Sequence, residues 1–442
     1  MSELLTSGSP AERYRERNRP ARPRRRSSSR RRRTHGPINR WWIRLHRWAS
    51  LALGLLLLIE TTSGAILLYG NGLAELAHPE RYRATASAHP MSDLDALAMV
   101  RATHPELGAF GVQHYQDIYL VRGGNPDSRD YLDAFVDPGS GRINAIGSEL
   151  PTAITFLIHL HDAGLSVKSM PGYVPWLGAT VPSLFGEKLT VGRYLLGLLG
   201  ALTVFLALSG VIIWWPGIRS LASGFIVRRR RGRYARDLDL HRVVGIFAVP
   251  FLLMWGVTGA AFFFEWPATT YFALTPGHSN ADPPPARTGT GPLLTPVQAR
   301  DEALRAHPGS RMVGFTERHP QRPGGGYGFR LTAGADPYRY WNFSGNAFVA
   351  VDSHGGGVQD WAPREEAAPL SQRLWNDGWY DGLHFGTLVG PLPRVVLLVF
   401  GLSPLLLGVT GLTVWWTKSR SARNRRRRLR AAGLGPFRWT RV

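Results

Sequence analysis

Residues 45–64 read LHRWASLALGLLLLIETTSG, and residues 240–259 read LHRVVGIFAVPFLLMWGVTG. Both open on Leu-His-Arg, run through an apolar stretch, and close on a hydroxyl residue followed by glycine, Ser63-Gly64 in one and Thr258-Gly259 in the other. A second pair echoes the first. Leu160-His161 precedes an apolar run ending in Ser209-Gly210 and Trp214-Trp215, and Leu383-His384 precedes one ending in Thr410-Gly411 and Trp415-Trp416. The chain therefore reads as a duplicated membrane protein with histidines at matching depths in its two halves. Histidines so placed suit a cofactor bound between helices.

Four stretches meet the spanning requirement of roughly 20 predominantly apolar residues: 42–69, 189–215, 243–266 and 392–416. Glu60 is the only acidic residue well inside any of them. The first is longer than the ~7–15-residue apolar core of a signal peptide, and no clear cleavage site follows, so it is expected to stay in the mature protein. Tryptophan pairs at 41–42, 214–215 and 415–416 suit a membrane–water interface. With their flanks, the segments are a basic tail (1–40), spans at 41–70, 189–216, 242–266 and 392–417, large segments at 71–188 and 267–391, a basic loop (217–241) and a second basic tail (418–442).

The net charge of +22 invites a nucleic-acid reading, and its distribution argues against one. Arginines cluster at 24–26 and 30–33, at 228–231 and at 425–428, in the two tails and the loop between spans two and three. An even number of spans puts all three on one side, and cytoplasmic segments carry the Lys/Arg excess. Both termini are thus expected in the cytoplasm, with the two large segments outside and the basic tails available to anionic lipid. The chain has no cysteine, which excludes disulfides, thiolate metal sites, cysteine-ligated clusters and covalently attached c-type haem. The tail, rich in Arg, Ser and Pro, reads as disordered.

Each half follows one plan of span, outward segment and span, so the halves form parallel repeats about an axis along the membrane normal. Each outward segment starts with an amphipathic helical stretch ending in His-Pro, at 94–104 before Pro105 and at 296–307 before Pro308. Strand-like runs follow at 118–122 and 131–136, with a turn at 137–141, and again at 327–331, 340–343 and 347–352, with a turn at 354–357. Each reads as a small α+β module of about one helix and three or four strands. Residues 280–292 form a Pro/Gly-rich linker, and 170–186 is an insertion peculiar to the first half that could lie as a lid or interfacial loop. The glycine run 324–328 precedes a strand, which makes it a turn and not a phosphate loop. No dinucleotide fingerprint or Walker A sequence is present.

The His-Arg start of each odd span, the Ser/Thr-Gly near its end, the Leu-His before each even span and the paired outward modules resemble the PepSY-associated transmembrane proteins. These are bacterial inner-membrane proteins, some called iron-regulated membrane proteins or siderophore-iron reductases. The resemblance covers about residues 40–420. It implies PepSY-like outward modules and, in the reductase branch, b-type haems held by histidine pairs in the spanning helices.

Carried over residue by residue, it implies two haems. His46 and His241, both at cytoplasmic ends, would hold one, and His161 and His384, at or near outward ends, the other. Two neutral imidazoles can ligate haem iron axially, and two such sites would relay electrons across the ~30 Å hydrocarbon core. Arg47 and Arg242 follow the inner histidines, and Arg193 and Arg394 each stand seventeen residues before a repeated glycine. These arginines could bind propionates by charge-assisted hydrogen bonds or anchor helix ends in lipid headgroups. Gly64, Gly210, Gly259 and Gly411 suit close helix packing more than haem itself. His159 competes with His161 for the outer site. On a helix the two point in nearly opposite directions, and the match to the second half favours His161. In an extended segment, His159, His161, Asp162 and His384 could instead bind zinc or copper. Glu60 could hydrogen-bond Thr61, Thr62 or a neighbouring helix, or relay protons.

The favoured function is a transmembrane haem oxidoreductase. It would carry electrons from a cytoplasmic flavoprotein or membrane quinol to an outward acceptor, with a ferric siderophore implied by the resemblance. The competing readings are a non-enzymatic binding or regulatory module whose histidines are structural, and a small transporter.

Overall fold

The computed structural model describes residues 37–124, 131–182, 188–228, 230–275, 289–322, 324–333, 347–355, 357–360, 371, 374–375, 380, 382–387 and 391–431. Four candidate spans occur among them, Arg40–Leu67, Val191–Trp214, Arg233–Ala261 and Arg394–Ala431, and the chain is a membrane protein. Helix α1 (Pro37–Leu67) is the first span, followed by the short α2 (Gly70–Ala77). Helix α5 (Val191–Trp214) is the second, and α6 (Arg233–Ala261), followed by α7 (Trp266–Leu274), is the third. Helices α9 (Pro391–Gly401) and α10 (Ser403–Ala431) form the fourth.

The helix ends differ from the expected ones in two places. Helix α6 begins ten residues before 243, and α10 runs on from Trp416 through the basic residues to Ala431. Arginine, lysine and alanine are good helix formers, and cations favour a helix C-terminus. The fourth span is also interrupted at Leu402. Pro404 has no N–H for the carbonyl of Phe400, and the Ser403 hydroxyl donates to that oxygen instead, at 2.6 Å.

The spans pack as a ring: α1 against α5, α5 against α6, α6 against α10 and α10 against α1. Gly200 and Gly256 allow the α5–α6 contact. A Cβ on Gly200 would meet the Ala260 nitrogen at 2.6 Å, and one on Gly256 would meet the Gly200 oxygen at 3.0 Å. The outer surface of the ring exposes Leu55, Leu56, Leu208, Phe247, Val399 and Val409, as a lipid-facing belt requires.

Between α1 and α5 the chain forms α3 (Asp93–Thr103), strands β1 (Ala109–Tyr115), β2 (Ile118–Gly124), β3 (Tyr131–Asp137) and β4 (Arg142–Gly147), then α4 (Thr152–Ala163) and a hairpin of β5 (Thr180–Pro182) and β6 (Lys188–Thr190). After α7 come α8 (Pro296–Ala306), β7 (Arg311–Arg318), β8 (Gly326–Thr332), β9 (Ala347–Asp352) and β10 (Val358–Asp360). Ser92 caps α3, and Thr295 with Gln298 forms a capping box on α8. His104 and His307 close the same two helices, each followed by proline.

The two sets of strands merge into one antiparallel sheet of order β10-β9-β8-β7-β1-β2-β3-β4. At the seam, Gly111, Val112 and Gln113 pair with Thr316, Phe315 and Gly314. Arg101 of α3 crosses it to Glu317 of β7 with two hydrogen bonds, of 3.2 and 2.8 Å. A single core fills one face, where Leu97 and Val100 of α3 and Ala299 and Ala303 of α8 cover Val112, Phe315, Phe329 and Val349. Strands β1 and β7 were not anticipated, because bulges at Ala109/Gly111 and Met312/Gly314 break their alternation. The expected strand at 340–343 and most of the linker at 280–292 lie outside the described residues, as does the tail to residue 36.

The sheet sits at the ends of the spans opposite the termini, and these two ends are the sheet side and the terminal side. Arg122 of β2 binds Asp133 of β3 and Glu149 of the segment entering α4, at 3.0 and 2.7 Å. Gly164, in the left-handed region, ends α4 against the start of α5, where a Cβ would strike the Gly192 carbonyl at 2.6 Å. Helix α4 is thereby fixed between sheet and bundle.

Candidate functional site

The bundle brings the four repeated histidines together in two pairs. His46 of α1 and His241 of α6 meet at the terminal side, with ring centroids 6.5 Å apart and planes at 89°. His161 of α4 and His384, in the turn before α9, meet at the sheet side, 6.3 Å apart and at 44°. A metal held in line by two imidazole nitrogens at roughly 2.0–2.1 Å each would separate the ring centres by about 6.4 Å. Both pairs have the spacing of two ligands on opposite sides of one metal ion.

Every ring is held at Nδ1, each time by the hydroxyl of a Ser/Thr-Gly dipeptide on a neighbouring helix. His46 lies 2.8 Å from Ser209 of α5, and His384 lies 2.7 Å from Thr258 of α6. His241 meets Thr410 of α10 and the Leu407 carbonyl, both at 3.1 Å. His161 meets Ser63 of α1 at 3.3 Å, and the carbonyl and the carboxylate Oε1 of Glu60, both at 3.0 Å.

The proton positions follow from the donors available. Ser209 donates its hydroxyl proton to Leu206, Ser63 to Glu60, Thr258 to Met254 and Thr410 to Leu406, at 3.2, 2.8, 2.8 and 2.7 Å. Those oxygens can then only accept, as can the carbonyls of Leu407 and Glu60. His241 and His161 each face a carbonyl that can only accept, so they carry the proton on Nδ1 and leave an unshared pair on Nε2; with Ser209 and Thr258 turned to their own backbone carbonyls, His46 and His384 do the same. Among the described residues, none of the four Nε2 atoms has a hydrogen-bond partner. His384 lies outside the spans, and burial, followed by the neighbouring His161, pushes its pKa down, so the ring is neutral. A neutral histidine oriented by its second N–H is the usual form of a metal ligand.

The repeated glycines serve these rings. A Cβ on Gly64 would lie 2.5 Å from Cε1 of His161, and one on Gly411 would lie 3.3 Å from Cε1 of His241. At Gly210 and Gly259 the distances to His46 and His384 are 3.8 and 3.9 Å. All four glycines therefore face the histidine that their own dipeptide anchors.

His159 has a different place. On α4 it is fully buried, its Nδ1 donates to the Pro171 carbonyl at 2.8 Å, and its Nε2 accepts from the Val167 N–H at 2.9 Å. Both nitrogens are occupied by backbone, so the ring pins the loop after α4 and offers no lone pair to the sheet-side site. Asp162 is exposed, and among the described residues no group of three His, Asp or Glu side chains could hold a metal ion.

The four arginines divide. Among the described residues, the Nε atoms of Arg47 and Arg193 are buried without a hydrogen-bond partner, an arrangement that suits an anionic group between the helices. Arg394 is itself buried, its Nε donating to the Gly386 carbonyl at 3.1 Å and its Nη1 to Leu68 at 3.4 Å. It braces the turn that carries His384 against the end of α1. Arg242 is half-buried near Asp239. The Ser/Thr hydroxyls had no role in the sequence reading, although their place before each glycine was the available signal. The Glu60–His161 contact is the bond to a neighbouring helix that the sequence allowed for Glu60, although nothing local named its partner.

No curated protein matches this chain. The family model described as PepSY-associated TM region matches residues 43–418. The chain is a member of the PepSY-associated TM region family.

Proposed function

We propose that the chain is a duplicated bacterial inner-membrane reductase. It takes electrons from a cytoplasmic flavoprotein or membrane quinol and delivers them to a ferric siderophore on the sheet side. Both termini and the basic segments lie in the cytoplasm in this reading, close to anionic lipid. The two halves are repeats that each contribute one PepSY-like module to the shared sheet. The observation that carries the proposal is the anchoring of all four rings at Nδ1, which leaves Nε2 unpartnered, among the described residues, in two histidine pairs whose ring centroids lie 6.5 and 6.3 Å apart.

His46 and His241 would hold a b-type haem at the terminal side, and His161 and His384 one at the sheet side, each of which would supply a one-electron carrier. Arg47 and Arg193 have unsatisfied Nε donors for propionate carboxylates. The apolar residues of the spans exclude water, and the Ser/Thr hydroxyls keep each ring in a single tautomer and orientation. His46 and Ser63, the anchor of His161, are seventeen residues apart on α1, or about 25 Å along the helix axis. The two sites therefore lie near opposite faces of the hydrocarbon core.

The test is a reduced-minus-oxidised spectrum with pyridine haemochrome quantification on the purified protein. Two b-type haems per chain are expected. The His46→Ala and His241→Ala variants should lose one, and His161→Ala and His384→Ala the other. The dithionite-reduced protein should be reoxidised by a ferric siderophore under anaerobic conditions. A colourless protein from haem-replete cells would overturn the reading in favour of a non-enzymatic membrane binding module.

A further inference from the structure

Three of the four anchored rings rest on neutral oxygens, and the fourth does not. His46 has a serine, His384 a threonine, and His241 a threonine with a backbone carbonyl. His161 has, besides Ser63 and a carbonyl, the carboxylate of Glu60 at 3.0 Å, with the two side chains only 23% and 18% exposed. The difference lies where the duplication breaks. Glu60 stands fourteen residues after His46, and fourteen residues after His241 stands Trp255. Trp255 packs against Phe251 and has no counterpart of the carboxylate to offer His384.

We propose that Glu60 sets the reduction potential of the sheet-side site, holding it below that of the terminal-side site; this rests on the haem reading above. A carboxylate that accepts the Nδ1 proton gives the imidazole partial imidazolate character and makes Nε2 a stronger electron donor. A stronger donor on the iron would favour the ferric over the ferrous state. At the terminal side, among the described residues, Nδ1 of both rings meets neutral groups alone, and the buried Asp237 and Asp239 near His241 are paired with Arg236 and Arg228 instead. The donor side would thus fill a carrier of higher potential, and the carrier nearest the acceptor would be the stronger reductant. Such an order suits an acceptor whose ferric form is itself strongly stabilised by hard oxygen ligands. The transmembrane potential, negative on the cytoplasmic side, drives the electron in the required direction.

The experiment is a potentiometric titration of the purified wild type, Glu60→Gln and Glu60→Asp, with haem counted in each and low-temperature EPR of the oxidised forms. The sheet-side component is identified by its loss in His384→Ala. In the wild type the lower of two midpoints should belong to it. Glu60→Gln should keep both haems and shift the sheet-side reduced-to-oxidised ratio at fixed ambient potential at least about tenfold toward reduced, ~59 mV for one electron. The sheet-side EPR signal should move with it, the terminal-side midpoint should not, and Glu60→Asp should recover part of the shift. Unchanged midpoints in Glu60→Gln, or a shift confined to the haem that survives in His384→Ala, would overturn the proposal while leaving the two-haem reading intact. Loss of the sheet-side haem from both Glu60 variants would make Glu60 a structural brace and also overturn it. A wild type without haem removes the reading on which the proposal rests.

Discussion

Alanine at Gly64 and alanine at Gly259 should have opposite effects, although the two positions are equivalent in the quoted repeats. A Cβ at Gly64 would lie 2.5 Å from Cε1 of His161 and 2.9 Å from its Nε2. Ordinary carbon contacts are ~3.5–4.0 Å, so the ring must retreat by about 1 Å. Its Nδ1 contacts to the Glu60 carbonyl and carboxylate, now 3.0 Å each, would stretch to roughly 4 Å, beyond hydrogen-bonding range. Overpacking of this kind costs about 1–3 kcal/mol, which corresponds to a roughly 5–150-fold loss of affinity for the haem proposed at the sheet-side site. A Cβ at Gly259 meets Cε1 of His384 at 3.9 Å, in ordinary contact, and replacing a helical glycine gains up to about 1 kcal/mol of helix propensity. Pyridine haemochrome counting under dilution and thermal unfolding in detergent measure both consequences. Gly64→Ala should lose the sheet-side haem first and unfold at lower temperature, whereas Gly259→Ala should keep both haems and unfold at a slightly higher temperature. The reasoning fails if Gly64→Ala holds two haems as tightly as the wild type, or if Gly259→Ala is equally damaged.

Three further outcomes are expected. Ser209→Ala removes the acceptor that fixes His46 and should weaken terminal-side haem binding about 10–100-fold without affecting the sheet-side haem, as read by haem retention on dilution. His159→Ala should keep both haems but lower the unfolding midpoint, since two buried hydrogen bonds and a packed ring are lost, at a cost of ~2–4 kcal/mol. Asp137 is buried at the end of β3, which raises its pKa, but hydrogen bonds from Ser140, Thr85 and the Gly139 amide outweigh burial and hold it below the usual carboxylate range. Its stabilisation is therefore fully present above the unfolded-state value of about 4 and is lost as pH falls toward the folded value. The stability difference between wild type and Asp137→Asn, read by thermal unfolding, should narrow below about pH 4 and stay constant above pH 6.

The spans were legible because an apolar run of sufficient length has few alternatives, and the histidine pairing followed from matching His46 to His241 and His161 to His384. Helical geometry together with the match of His161 to His384 separated His161 from His159. What escaped was encoded at long range or against local rule. The seam between β1 and β7 joins residues about two hundred positions apart through two bulged strands, so neither alternation nor proximity announces it. Helix α6 begins in a run of charged residues whose composition reads as loop, and its Asp237 and Asp239 are buried by Thr413 and Arg228 from elsewhere in the chain. Arg394 was read as a propionate ligand or a lipid-headgroup anchor and is a buried brace, a role fixed by the carbonyls of Gly386 and Leu68.

The shared sheet also limits what the bundle can do mechanically. Strands β1–β4 are continuous with α3 and connect α1 to α5, while β7–β10 lie between α6 and α9. The β1–β7 ladder and the Arg101–Glu317 pair therefore rivet the first two spans to the last two on one side of the membrane. A carrier that exposes its load alternately to each face has to rock one half against the other, and here that motion would tear hydrogen bonds in the middle of a sheet. Electron transfer makes no such demand. It is fastest when ligands keep their positions as charge arrives and leaves, and a riveted frame with four tethered imidazoles keeps that rearrangement small.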